Sequence, residues 1–390
     1  MSGPALDPAT REALLATVDR FVRDEVAPAA AAIDRDDAFP KALFARAGAL
    51  GLLGLGVPEA YGGLGRDLET AFLVSERIAR VSAAFSLSFN NTTDAAAPFA
   101  AYASEDLRRR YLPAMARGAC IPCIAITEPQ GGSDVAAIRT AARRDGADYV
   151  IDGRKMWCTN APVGDVFAVF ARTSAEGGHK GLSAFVVPAG TKGLTVGPAE
   201  PLIGLRGSPV AEVVFDGVRV PASHRLGEEG EGFRIAMLTL DESRLHCAGT
   251  ALGVAEAALA HAVDYARERV QFGQAIIRHQ SIQALLARRA TELVAARALW
   301  REATRRLLRD TGRDSSAYCG MAKLLCTDLC MAIATDAVQV FGAAGLSRNG
   351  PVERLMRDAK AFQIYDGTSQ IQAMMIGRHL ERHGMDFDRG

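Results

Sequence analysis

The hydrophobic pattern of this chain changes twice along its length, and this order limits the folds that it can adopt. Apolar residues recur three and four positions apart up to about residue 118, as in Leu14, Val18 and Phe21, which predicts helices. From about 121 to 220 short apolar runs are separated by Gly, Asp and Pro, a pattern typical of a small antiparallel sheet or barrel. After Gly232 helical periodicity returns almost to the end, which predicts a helical bundle.

The predicted fold class is therefore α+β and mainly α. A chain of 390 residues that is 49% apolar can bury a large core. We predict an N-terminal α-helical domain over 1–120, a central β-domain over 121–225 and a C-terminal helical domain over 226–390. Breaks between the C-terminal helices are predicted by turn residues near Gly273, 310–312, 342–350 and 366–367.

Charge and targeting signals give little reason to expect a nucleic-acid or membrane partner. The 45 basic residues balance the 45 acidic ones, so no excess charge favours a polyanion or an anionic membrane. The start, Met1–Asp7, lacks a basic region followed by an apolar run. The apolar stretch Met331–Leu346 is too interrupted for us to expect it to span a bilayer. We expect a cytoplasmic protein.

The cysteines predict neither a disulfide framework nor a metal site. Seven cysteines in a chain of this length do not form the dense pattern of a disulfide-stabilised fold. Cys120 and Cys123 form one C-x-x-C, but no second pair or nearby histidine completes a zinc site. Cys319, Cys326 and Cys330 share one helix face, which favours a place in the core. We expect no bound metal.

The segment Ile364–Gln372 contains the clearest candidate for catalysis. A helical run ends at Tyr365, Gly367 frees the backbone, and Thr368 or Ser369 can cap the next helix. Asp366 lies at this break beside the unpaired N–H groups of a helix start. A carboxylate held there suits a positioned proton acceptor.

Two strings in the β-rich region suit contact with a ligand. In Ala125–Asp134, two glycines permit close approach of the backbone, while Thr127 and Ser133 supply hydroxyls. In Gly153–Asn160, Trp157 has a flat apolar surface, and Thr159 would point to the same side of a strand. Taken alone, Gly131–Asp134 is more typical of an ordinary strand-to-turn segment, and Trp157 is more typical of a core aromatic.

Two further strings lie at helix ends. Ala266–Gly273 contains Arg269, which is either a solvated C-terminal cation or a phosphate ligand. Gln339–Leu346 is rich in glycine, although Ala343 stands where a third glycine would complete the pattern.

Together these strings, spread over roughly 10–382, resemble the flavin-dependent acyl-CoA dehydrogenases. The resemblance implies a central antiparallel β-barrel domain, a C-terminal four-helix bundle and FAD as cofactor. Thr159 would bond near flavin N5 and Thr127 near the pyrimidine edge, while Arg269 and Phe272 would reach the cofactor of another subunit. The implied cofactor-binding residues are Ile126, Thr127, Gly132, Ser133, Trp157, Thr159, Arg269, Phe272, Gln339, Gly342, Thr368 and Gln370.

The resemblance also implies a reaction. In this family a carboxylate removes the α-proton of an acyl thioester while the β-hydrogen passes to flavin N5 as hydride. Asp366 matches the base, although the family usually has glutamate there, so the carboxylate is displaced by about 1.5 Å. The pocket can be repositioned, the substrate can be small, branched or differently tethered, or another residue can act. Ser243 matches a second base position but cannot serve, and Arg244 matches a supporting arginine.

The implied acyl site is unusually polar. The segment Phe85–Asp94 matches the helix that floors the acyl cavity of relatives, and it contains Asn90, Asn91 and Asp94. These residues favour either a short or polar acyl group, on CoA or on a carrier protein, or simply a solvated helix face. The implied substrate-binding residues are Ser133, Asn90, Asp94, Asp241, Arg244, Tyr365 and Gly367, with Asp366 and Arg244 as the catalytic pair.

The implied partners are an electron-transfer flavoprotein and further copies of this chain, in a homotetramer. Two alternatives remain open. One is a flavin oxidase or monooxygenase acting on a non-thioester, since nitroalkane oxidases also use aspartate as base. The other is an inactive binding relative, because Ala373 replaces the arginine expected near the base.

Overall fold

The N-terminal domain is a compact set of helices. The computed structural model describes residues 6–65, 67–174, 178–309 and 313–385, so the break predicted at 310–312 lies outside the described residues. A π-helical turn, Val22–Val26, joins the first two helices. The helices are α1 (Pro8–Phe21), α2 (Ala27–Asp36), α3 (Lys41–Ala49), α4 (Leu68–Ala79), α5 (Ala83–Tyr102) and α6 (Glu105–Ala116).

Caps specified by the sequence set the start of two of these helices. The Asp67 side chain accepts a hydrogen bond from the backbone N–H of Thr70 at the start of α4, and Ser82 does the same for Phe85 at the start of α5. Such caps satisfy N–H groups that a helix start leaves unpaired. Apolar residues of α4 and of the start of α5 pack into the core of the C-terminal bundle, among them Leu68, Phe72, Ala79 and Ala83.

The central domain is one largely antiparallel sheet of eight strands. The order runs β6-β7-β3-β2-β4-β5-β8, with β1 added alongside β4. The β1–β4 and β2–β4 pairings are parallel, and within the described residues the order is an open path rather than a closed ring. The strands are β1 (Pro122–Ala125), β2 (Ala141–Asp145), β3 (Asp148–Thr159), β4 (Val166–Arg172), β5 (Leu182–Pro188), β6 (Leu194–Val196), β7 (Val210–Pro221) and β8 (Arg225–Leu226).

Three long helices and two shorter ones form the C-terminal bundle. A hairpin with positive φ at Phe272 and Gly273 follows the first of them, as a tight turn between paired strands requires. The elements are α7 (Gly232–Glu268), β9 (Val270–Gln271), β10 (Gln274–Ala275), α8 (Gln280–Arg309), α9 (Arg313–Phe341), α10 (Val352–Phe362) and α11 (Ser369–His383). The predicted order of helical, β and helical regions is confirmed.

The buried face of α9 is part of the bundle core. Cys319, Cys326 and Cys330 are buried there as predicted, and none of the seven cysteines is in a disulfide. By length and composition alone, Ser315–Leu346 is the one stretch of the described chain that could cross a membrane. This differs from our reading of Met331–Leu346, because the helix is continuous and longer than the apolar run suggested. Its apolar residues also have a second explanation, since 44% of its most apolar window is buried by packing.

Helix α5 connects the sheet to the bundle. The Asn160 side chain donates to the Ser88 carbonyl (3.1 Å), and Asn91 donates to the carbonyls of Pro122 (3.2 Å) and Thr159 (3.5 Å). The opposite side of α5 packs on α7. Helix α5 therefore lies between the end of β3 and α7.

Candidate active site

Asp366 lies in a strained turn that two other side chains hold in place. Its φ is +55° and that of Gly367 is +90°, in the left-handed region that only glycine adopts readily. Buried Lys323 on α9 donates to the Gly367 carbonyl (2.7 Å), and Gln372 donates to the carbonyls of Asp366 (2.9 Å) and Gly367 (3.1 Å). Thr368 caps α11 by accepting from the Ile371 N–H (3.2 Å). These contacts hold the backbone of the turn that carries Asp366.

The surroundings of Asp366 favour a carboxyl that exchanges protons near neutrality. Its pKa is raised to about 7, chiefly by burial and then by the neighbouring charge of Asp94. The charges of Lys323 and Arg244 oppose part of this rise. A general base works best when its pKa lies near the working pH.

Arg244 forms a buried ion pair with a residue of its own helix, α7. It donates to Asp241 (2.5 Å), and both side chains are almost fully buried. The other carboxylate oxygen of Asp241 accepts from Ser316 on α9. Arg244 also contacts the Met375 sulfur of α11 (3.6 Å), so the guanidinium lies between α7, α9 and the helix that follows Asp366. It supplies positive charge near the base although Ala373 carries none.

A polar cluster that the sequence analysis missed lies between α5 and α7. The Asp94 carboxylate accepts from His246 Nδ1 (2.5 Å) and from the Ser243 hydroxyl (2.9 Å). All three residues are buried. Ser243 and His246 are three residues apart on α7, so they share a face, and that spacing beside an acid on α5 was the available signal.

The two asparagines of α5 do not join this cluster. Asn90, predicted to bind substrate, donates to the Thr250 hydroxyl (2.9 Å) and accepts from Ser75, so it joins α5 to α4 and α7. Asn91 holds the sheet, as described above. The prediction that this segment is a solvated face is wrong, because Asn90 and Asp94 are both buried.

The residues predicted to face the flavin come together beside the end of β3. The Met156 N–H donates to the Thr127 carbonyl (2.8 Å), which joins the two strings. Gly132 lies so close to Thr127 that a Cβ would stand 3.2 Å from its methyl group. Trp157 has a φ of +59° at a bulge of β3 and is 52% exposed. That bulge interrupts the strand alternation used to place Trp157 and Thr159 on one side.

A buried ion pair supports this surface from below. Lys155 donates to Glu128 (2.8 Å) and to the Ile126 carbonyl (2.9 Å), and neither charged side chain is exposed. Glu128 also accepts from the N–H groups of Arg139 (2.6 Å) and Thr140 (2.8 Å). The backbone on both sides of Thr127 is therefore fixed, while Ser133 is exposed at the rim.

The remaining cofactor candidates lie at the far end of the bundle. Tyr265 stacks on Phe341 with ring centroids 4.1 Å apart, which brings the Arg269 hairpin next to the Gln339–Gly342 string. Arg269, Phe272, Gln339 and Gly342 are exposed. Arg269 follows Arg244 by 25 residues along α7, or about 37 Å at the usual helical rise. Within one chain, Arg244 and Arg269 are therefore too far apart to belong to the same site. Gln370 is exposed beyond Asp366.

The surface around Thr127 and Trp157 fits a flat, hydrogen-bonding ring system such as isoalloxazine. It offers a half-exposed indole, a glycine that keeps the backbone accessible, and backbone groups held by a buried ion pair. Among the described residues no cluster of histidine, cysteine and carboxylate side chains is arranged to hold a metal ion. The chemistry that these groups support is proton transfer beside an organic cofactor.

The chain is similar to known proteins along almost its whole length. Sequence models of the N-terminal, middle and C-terminal domains of acyl-CoA dehydrogenase match residues 8–119, 123–218 and 230–381. An acyl-CoA dehydrogenase of Bacillus subtilis (strain 168) is 42% identical over 92% of this chain and 95% of its own. The structure of butyryl-CoA dehydrogenase from Megasphaera elsdenii has a TM-score of 0.92 and 35% identity, covering 98% of this chain and 100% of that one. The prolyl acyl carrier protein oxidase AnaB has a TM-score of 0.90 and 28% identity, covering 96% and 100%.

Proposed function

Because the chain belongs to the acyl-CoA dehydrogenase family and is a flavin oxidoreductase, we propose that it binds FAD and dehydrogenates the α,β-bond of a short, branched or polar acyl thioester, with Asp366 as the base. The observation that carries this proposal is the turn at Asp366. Lys323 and Gln372 hold the turn carbonyls, and the pKa of the carboxyl is raised to about 7 by burial and by Asp94.

Each group of the site has a part in this reaction. Asp366 takes the α-proton, and its raised pKa makes it a strong enough base that is still ionised in part at neutral pH. Arg244 stabilises the ionised form of Asp366, because its positive charge lowers the pKa of that carboxyl. FAD, when bound, accepts the hydride, and Ile126, Thr127, Gly132, Trp157 and Thr159 would hold its ring.

The cofactor's nucleotide portion would be held by a second copy of the chain. Arg269 and Gln339 are each too far along their helices from the Asp366 region to reach the same flavin. An exposed guanidinium beside the almost fully exposed Phe272 (94%) suits a diphosphate and an aromatic ring. A site shared in this way requires at least two copies. From the family resemblance we propose a homotetramer, with an electron-transfer flavoprotein as acceptor.

The test measures how fast each thioester of a panel reduces the FAD-loaded protein under anaerobic conditions. Reduction is recorded as the loss of flavin absorbance. Asp366→Asn keeps the shape of the side chain but cannot accept the proton, so reduction should slow by about 10²- to 10⁴-fold. Asp216→Asn is the matched control, because it makes the same substitution at an exposed position of β7. Equal rates for wild type and Asp366→Asn would show that another group is the base.

A second candidate function differs from the first in the carrier of the acyl group and in the electron acceptor. The similarity to the prolyl acyl carrier protein oxidase AnaB favours a thioester on a carrier protein, with oxygen accepting the electrons. The panel should therefore include the same acyl group on CoA and on a carrier protein. Peroxide formed in air without an added acceptor would favour the oxidase.

A further inference from the structure

The ring of His246 has a defined hydrogen-bonding direction. Its Nδ1 lies 2.5 Å from an Asp94 oxygen, and the second oxygen of that carboxylate accepts from Ser243 (2.9 Å). A carboxylate has no proton to donate, so Nδ1 must carry one. In the neutral imidazole the other nitrogen, Nε2, is then a bare acceptor.

That acceptor is buried without a donor. His246 is 1% exposed, and across the described part of the chain no group hydrogen-bonds to Nε2. The edge of Phe72 packs against the ring at a centroid distance of 4.5 Å and an angle of 88°, so the ring cannot turn freely to find a partner. A buried polar atom without a partner is uncommon and calls for an explanation.

The cluster lies close to the turn that carries Asp366. Ser243 directly precedes Arg244, and Cys247, which follows His246, contacts the Phe362 carbonyl at the end of α10 (3.7 Å). Besides burial, the charge of Asp94 raises the pKa of Asp366. Burial is also the larger cause of the raised pKa of Tyr365, which precedes the base and whose hydroxyl is buried, and Asp94 adds to that rise. In the proposed function the acyl chain extends from the group that Asp366 deprotonates, so this polar pair lies near the region that the chain would occupy.

We propose that the Asp94–His246 pair binds a hydroxyl or amino substituent on the acyl chain, with His246 Nε2 accepting its hydrogen bond. This deepens the proposed function and rests on it. An aliphatic chain would leave Nε2 without a donor, at a cost in binding, whereas a hydroxyl or amine satisfies it. The pair would thus select for polar acyl groups.

The experiment compares kcat/KM for anaerobic flavin reduction by four thioesters of CoA: butyryl, 4-hydroxybutyryl, 4-aminobutyryl and succinyl. The wild-type protein should prefer the hydroxy or the amino compound to butyryl by roughly 10- to 100-fold. His246→Leu and the milder Ser243→Ala should reduce that ratio. Thr250→Val is the matched control, since it alters the α5–α7 contact at Asn90 and should keep the ratio.

A second measurement does not depend on turnover. CoA thioethers with butyl, 4-hydroxybutyl and 4-aminobutyl tails lack the carbonyl that acidifies the α-proton, so they cannot be oxidised. Calorimetry should find a polar tail bound more tightly than butyl, with the difference lost in His246→Leu. Equal affinities, or a preference for succinyl in the kinetic panel, would overturn the inference. Slow reduction by every thioester, together with selective thioether binding, would instead count against the proposed reaction alone.

Discussion

Replacing Asp366 by asparagine should make the protein more stable, and more so as the pH rises. The pKa of Asp366 is raised from 3.8 to about 7 by burial and by Asp94. The folded protein therefore holds a proton that the unfolded chain releases from about pH 4 upwards. The resulting stabilisation is fully present below the pKa that Asp366 has in the unfolded chain. It is lost as the pH rises through the pKa that Asp366 has in the folded protein. Asparagine does not titrate, so the variant avoids that loss.

The magnitude follows from the same two pKa values. A difference of one in pKa corresponds to about 1.4 kcal/mol, so the whole effect of the rise to about 7 is about 4 kcal/mol. Between pH 5 and pH 8.5 the free energy of unfolding of the variant, relative to the wild type, should increase by about 3 kcal/mol. This is less than the whole effect, because part of the difference is already present at pH 5.

Urea unfolding at the two pH values, at fixed protein and FAD concentrations, measures this gain. Asp216→Asn, an exposed position within β7, is the matched control and should show no comparable trend. A difference between Asp366→Asn and wild type that stays constant within about 0.5 kcal/mol over this pH range would refute the reasoning. The Asp366 carboxyl would then titrate as it does in the unfolded chain.

Three further changes test the same site. Asp366→Glu moves the carboxylate by about 1.5 Å and should slow flavin reduction by about 10²-fold, as stopped-flow absorbance would show. Lys323→Met removes a charge that lowers the Asp366 pKa, so the pH at half-maximal reduction should rise, whereas exposed Lys360→Met should leave it unchanged. Glu128→Gln leaves the Lys155 ammonium buried without its partner, which should cost about 3–5 kcal/mol in urea unfolding. Burial alone would raise the pKa of Glu128, but the charge and hydrogen bond of Lys155, together with the hydrogen bonds from Thr140 and Arg139, outweigh it and lower this pKa to about 2. The ion pair therefore stabilises the folded protein above about pH 4.5, and this stabilisation is lost as the pH falls towards 2.

Periodicity and turn chemistry were enough to predict the order of the domains. Helical spacing, strand-like runs and the break at Asp366–Gly367 are local signals, and each is reproduced by the structure. Thr368 is the cap of α11 rather than Ser369, a choice that the sequence left open. These features depend on neighbours along the chain, which a single sequence records.

Contacts between distant parts of the chain could not be predicted in this way. Asp94 and His246 are 152 residues apart, and their pairing depends on how α5 packs on α7. Asn90 lies one turn before Asp94 on the same seam, yet it bonds Thr250. The side chains are of similar type and on one helix face, so only the packing distinguishes a structural residue from a candidate binding residue.

The length of α7 has a consequence for chains that carry an inactivating substitution. Arg244, near its start, and Arg269, at its end, are separated along a single helix, so one molecule contributes to two different proposed sites. A chain without Asp366 still offers an intact Arg269 to its neighbour, and the reverse also holds. Mixing two inactive variants of this kind would regenerate complete centres in a fraction of the assemblies.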